Sequence, residues 1–87
     1  QFLLDMATIG DALLEVTGAF RINYEILGNL DPALHAHVIP RYMSEPVELR
    51  KGSAFFYDKD FRDSIKYDFE RDKELMTQIA AAIQARL

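Results

Sequence analysis

Two alternating segments around a run of turn-forming residues constrain this chain most. Over residues 20–27, Phe20, Ile22, Tyr24 and Ile26 alternate with Arg21, Asn23 and Glu25. Successive strand side chains point to opposite faces, so the pattern predicts a half-buried strand. Gly28-Asn29-Leu30-Asp31-Pro32 follows. Gly and Asn tolerate positive φ, and Pro pre-sets a turn dihedral. A second strand is expected over 33–39, and the pair should form an antiparallel hairpin. Pro40 should end regular pairing or sit at an edge. A lone two-stranded hairpin is marginal in water, so a larger antiparallel sheet is expected.

A helix is expected on each side. Over residues 2–16, Phe2, Met6, Ile9, Leu13 and Val16 recur at helical spacing, with Leu3, Ala7, Gly10 and Leu14 widening the stripe. Gly10 would allow close approach of another backbone, and Gly18 suits the left-handed residue that ends a helix. So broad a stripe reads as core plus subunit interface. Over 68–87, Asp68 can cap a second helix, and Glu70 and Asp72 favour the positive end of its dipole. Leu75, Ile79 and Ile83 form its stripe beside Met76, Ala80 and Leu87, and Arg86 lies near the negative end. Between strand and helix, Pro46 and Gly52 punctuate an irregular stretch. There Ala54-Phe55-Phe56-Tyr57 reads as a short strand or an aromatic anchor. Phe61, Tyr67 and Phe69 read as a satellite cluster pinning the connection, with a base-stacking or substrate-lid role as the competing reading. The expected class is α+β: helix, antiparallel hairpin, irregular segment, helix.

Eighty-seven residues make one domain, 1–87. A chain this short buries roughly 60–65% of its unfolded surface. It has no cysteine to staple it, which fits a reducing, cytoplasmic setting. A homodimer is the remaining source of core. The net charge of −4 disfavours a nucleic-acid polymer as partner, and no apolar run is long enough to predict a membrane span. The start at Gln1 fits a processed or excised piece of something longer.

Both histidines lie in Leu34-His35-Ala36-His37-Val38-Ile39-Pro40-Arg41. Strand alternation would put His35, His37 and Ile39 on one face. Three chemistries fit the spacing. A neutral imidazole is a good nucleophile toward phosphorus, and a second one, roughly 7 Å along the strand, could reach a phosphate or leaving-group oxygen. Alternatively the pair ligates a metal, but zinc wants three or four protein ligands, so a carboxylate would have to complete the site. In the third reading both are structural.

The run from Ile26 to Tyr42, and above all His35-Ala36-His37-Val38-Ile39-Pro40-Arg41, resembles the signature of the histidine triad (HIT) family, His-φ-His-φ-His-φ-φ with φ apolar, often followed by Pro-Arg. More loosely, the resemblance covers most of the chain. It implies a HIT-like α+β fold, usually dimeric, and hydrolysis or nucleotidyl transfer at the α-phosphate of a nucleotide conjugate. His35 matches the nucleophile that becomes transiently nucleotidylated, and His37 matches the histidine that contacts the phosphate and leaving group. Asn29 is matched to a phosphate-holding asparagine, against the plain reading of a turn residue. Arg41 could assist an anionic substrate, against the plain reading of an ion-paired strand end. No metal or other cofactor is needed for the covalent step. Two departures stand out. Ala33 replaces the first triad histidine, which in the family helps orient the nucleophile. The family's strands before the first helix are also missing here. The alternative expectation is therefore a degenerate HIT-like module that binds nucleotide or protein without catalysis.

Overall fold

The computed structural model describes residues 1–26, 33–54, 57–60 and 66–87. Helix α1 (Phe2–Thr17) leads into strand β1 (Arg21–Glu25), strand β2 (His37–Arg41), a single-turn helix α2 (Val47–Arg50) and helix α3 (Phe69–Gln84). The coarse class is α+β, with a two-stranded antiparallel sheet among the described residues.

The helix ends follow the sequence. Gly18 caps α1 in the left-handed region at φ 71°, where a side chain would be strained. Asp68 caps α3 by accepting a hydrogen bond from the Arg71 backbone N–H at 3.0 Å. At the far end of α3, the Arg86 guanidinium donates to the Ala82 carbonyl at 2.8 Å and to Glu15 of α1 at 3.2 Å. It thus satisfies a terminal carbonyl and ties the two helices together.

Among the described residues the buried apolar side chains are Met6, Ala12 and Leu13 of α1 and Ala82 of α3. Helix α1 is the central element, touching α3 on one flank and both strands on another. Gly10 is where α1 meets the sheet, because a Cβ there would overlap the Tyr24 hydroxyl and lie 2.7 Å from Cζ. The expectation of a close approach at Gly10 holds, but the group approaching is a side chain rather than a backbone. Much of the α1 stripe stays open, with Leu3 68% and Leu4 65% exposed. Leu75 and Met76 of α3, and Leu87 beyond its end, are exposed as well.

The register pairs Arg21 with Arg41, Ile22 with Pro40, Asn23 with Ile39, Tyr24 with Val38 and Glu25 with His37. Residues directly opposite share a face. Ile22, Tyr24, Val38 and Pro40 therefore form the face that meets α1. Arg21, Asn23, Glu25, His37, Ile39 and Arg41 form the other.

Three local expectations differ from the structure. Strand β2 begins at His37 rather than 33 and runs through Pro40 to Arg41. Pro40 sits in an edge strand of the two-stranded sheet, one of the two expected outcomes, and pairing continues past it, the Phe20 N–H donating to the Arg41 carbonyl at 3.0 Å. The α2 turn was not expected, since four residues carry no readable period. Tyr67 and Phe69 are exposed, and the Tyr67 hydroxyl rests on the Met76 sulfur at 3.2 Å, so these two do not pin the connection in a buried cluster. The expected turn at 28–32, with Asn29, and the aromatics Phe55, Phe56 and Phe61 lie outside the described residues.

Candidate functional site

The two imidazoles meet at the start of β2. His37 is the first strand residue, and His35 sits two positions earlier, outside the strand. Their ring centroids are 5.5 Å apart and their planes stand at 82°, an edge-to-face contact. Both residues are half-buried, so they are held without being sealed from solvent. The distance is somewhat shorter than two residues of strand rise, which would separate them by roughly 6.6 Å.

His35 is fixed by its own backbone. Its Nδ1 lies 2.8 Å from the Ala33 carbonyl oxygen. A carbonyl oxygen can only accept, so Nδ1 carries the proton, and in the neutral ring Nε2 keeps its lone pair. Such a hydrogen bond to one ring nitrogen selects the tautomer and aims the other. Ala33 therefore contributes to the orientation of His35 through its main-chain oxygen.

The register adds two residues that the motif alone does not single out. Glu25 lies directly across from His37 and Asn23 across from Ile39, on the same face as His37. The alternation of 20–27 already separated these polar side chains from Tyr24. What the sequence lacked was the strand offset that sets Glu25 against His37. Glu25 Oε2 is buried and has no hydrogen-bond partner.

Arg41 ends the same face and is fully buried, at 0% exposure. All three of its guanidinium nitrogens are engaged. Nε donates to the Glu45 carboxylate at 3.1 and 3.2 Å, and Nη2 donates to Glu45 Oε1 at 2.9 Å and to the Leu49 carbonyl at 2.6 Å. Nη1 donates to the Gly52 carbonyl. Glu45 also accepts from the Tyr42 N–H at 2.7 Å and from the Tyr57 hydroxyl, and the Arg41 guanidinium lies 5.5 Å from the Tyr57 ring centroid. Burial pushes the Glu45 carboxyl up, but hydrogen bonds from Arg41, Tyr57 and the Tyr42 N–H outweigh it and hold its pKa at about 2. Burial also raises the Tyr57 phenol, as does its bond to Glu45. This geometry is the ion-paired strand end. A bound anion would have to displace Glu45 to reach Arg41. Tyr57 is the aromatic anchor expected in this stretch.

Among the described residues, no three His, Cys, Asp or Glu side chains are grouped to hold a metal ion. None of the described helices is long and apolar enough to cross a membrane. Comparison with protein-family models, with curated proteins and with solved structures finds no match. A functional reading of the chain thus stands on its residues and their geometry.

Proposed function

We propose that this chain is a HIT-like nucleotide hydrolase or nucleotidyl transferase working through a covalent intermediate on His35. The observation that carries the reading is the 2.8 Å contact between His35 Nδ1 and the Ala33 carbonyl, because it leaves Nε2 as the free nucleophilic nitrogen. In the first half-reaction, Nε2 attacks the α-phosphorus of a nucleotide conjugate. An N–P bond forms and the bond to the leaving group breaks, with the leaving group taking a proton from the protonated His37 ring. In the second, water attacks the same phosphorus and gives up a proton to His37, the N–P bond breaks, and nucleoside monophosphate leaves with both histidines restored. The edge-to-face contact of the rings, with centroids 5.5 Å apart, supports a donor and a nucleophile acting on one phosphate group. Neither half-reaction needs a metal or another cofactor.

The resemblance of His35-Ala36-His37-Val38-Ile39-Pro40-Arg41 to the HIT signature supports the substrate class. It also supports a homodimer, as do the open Leu3 and Leu4 of α1. Asn29 remains the proposed phosphate-side residue of the motif loop. Arg41 is proposed to act on an anionic substrate only through release of Glu45. A cytoplasmic setting is proposed from the cysteine-free composition.

One observation favours a second reading. Ala33 brings a carbonyl but no side-chain donor to His35, which fits a module that binds nucleotide or protein without turnover. Release of adenosine monophosphate from an adenosine phosphoramidate separates the two. Steady release by the wild type, lost in His35→Ala, supports the enzyme. Equal, background-level release by both supports the binding module.

A further inference from the structure

The face of the sheet turned away from α1 holds a carboxylate that the mechanism above does not use. Glu25 ends β1, is half-buried, and its Oε2 is buried without a donor. Leaving a buried acceptor unsatisfied costs about 1–3 kcal/mol, and more for a charged group. Such an atom calls for a nearby donor. On this face the described polar neighbours are Asn23, two residues along the same strand, and His37, directly opposite. Asn23 stands roughly 6.6 Å away along β1 at two residues of rise. His37 is nearer, because side chains directly opposite have Cβ atoms about 4.5–5.5 Å apart. His35 already spends its Nδ1 proton on Ala33.

We propose that Glu25 is a positioning residue for His37. Its carboxylate accepts an N–H of the His37 ring across the strand pair, fixing the tautomer and orientation of that imidazole. The inference rests on the proposed phosphoryl chemistry only for its purpose, which is to aim the second His37 nitrogen at the leaving group, where it donates once the ring carries both protons. The pairing itself stands on register and on the orphaned oxygen. It also gives the site a division of labour. The Ala33 carbonyl holds the His35 ring, and Glu25 orients the His37 ring across the strand pair.

The test is nitrogen-15 NMR of the histidine rings in the full chain, with His37→Asn used to assign the signals. The wild type should show His37 as one dominant tautomer with a hydrogen-bonded, downfield ring proton. Glu25→Met keeps the length and removes both oxygens. In it the His37 signals should move toward a tautomer mixture and the downfield proton should vanish, while the His35 signals stay in place. Unchanged His37 signals in Glu25→Met overturn the pairing. Where the methionine variant does not fold, Glu25→Gln keeps shape but not charge. An upfield move of the same proton then supports the pairing, and an unmoved one overturns it. If the wild type turns over an adenosine phosphoramidate, Glu25→Met should lower kcat about tenfold with little change in KM. A chain without turnover still gives the ring signals, so failure of the proposed activity and failure of the pairing are told apart.

Discussion

Replacing Glu45 by Gln tests whether the segment after β2 is held by charge. The substitution keeps size and one accepting oxygen but leaves the Arg41 cation at 0% exposure without a counterion. Breaking a buried ion pair by removing one partner costs about 3–5 kcal/mol. The titration of Glu45 gives an independent figure. Its carboxyl is held at about 2 against an ordinary 4.5, and at about 1.4 kcal/mol per pH unit that interval is worth about 3 kcal/mol. The lower value is the better one, because Glu45 keeps 13% of its side-chain surface exposed and glutamine still accepts one hydrogen bond. Against a usual total of about 5–15 kcal/mol, the loss is large. The folded value lies below the unfolded one, so the contribution is fully present above the unfolded value of 4.5 and is lost as pH falls through about 2. Urea unfolding followed by far-ultraviolet circular dichroism, repeated across that window, reads this directly. The wild type should exceed Glu45→Gln by about 3 kcal/mol near neutral pH, and the gap should close on acidification. A gap below about 0.5 kcal/mol, as for an ordinary exposed ion pair, or one that does not change with pH, would refute the reasoning.

Two other outcomes follow from packing. Gly10→Ala gains helix propensity but drives a methyl into the Tyr24 ring, so it should destabilise by about 1–2 kcal/mol. In a Tyr24→Ala background the same change should stabilise by about 1 kcal/mol, and a double-mutant cycle of thermal unfolding that finds no change of sign contradicts the contact. The open α1 stripe should bring two copies together, so sedimentation at tens of micromolar should show twice the mass of the 10.0 kDa chain. Sedimentation as a single 10.0 kDa species counts against the homodimer.

The elements whose local chemistry is self-contained were legible in the sequence. The apolar period and Gly18 define α1, Asp68 begins α3, and alternation over 20–27 gives β1. The start of β2 was not legible, because the His35 ring turns back to the Ala33 carbonyl and pairing begins only where Glu25 offers a partner. A side chain bonding its own backbone competes with strand pairing in a way that alternation does not record. Arg41 was recognisable as a charged strand end, but not as the centre of a buried cluster. Its partners Glu45, Leu49, Gly52 and Tyr57 come from a stretch with no period to read. Within the site, the motif picked out the histidine pair. The cross-strand neighbour Glu25 needed the register, which composition and spacing leave open.

The central claim is that His35 Nε2 is a nucleophile toward phosphorus. The most direct measurement is the intact mass of the chain after brief exposure to an adenosine phosphoramidate and an alkaline quench, which preserves N–P bonds that acid would break. The wild type should gain the mass of one adenylyl group, and His35→Ala should gain none. A wild type that gains no mass while holding its fold, or an adduct that persists in His35→Ala, would contradict it.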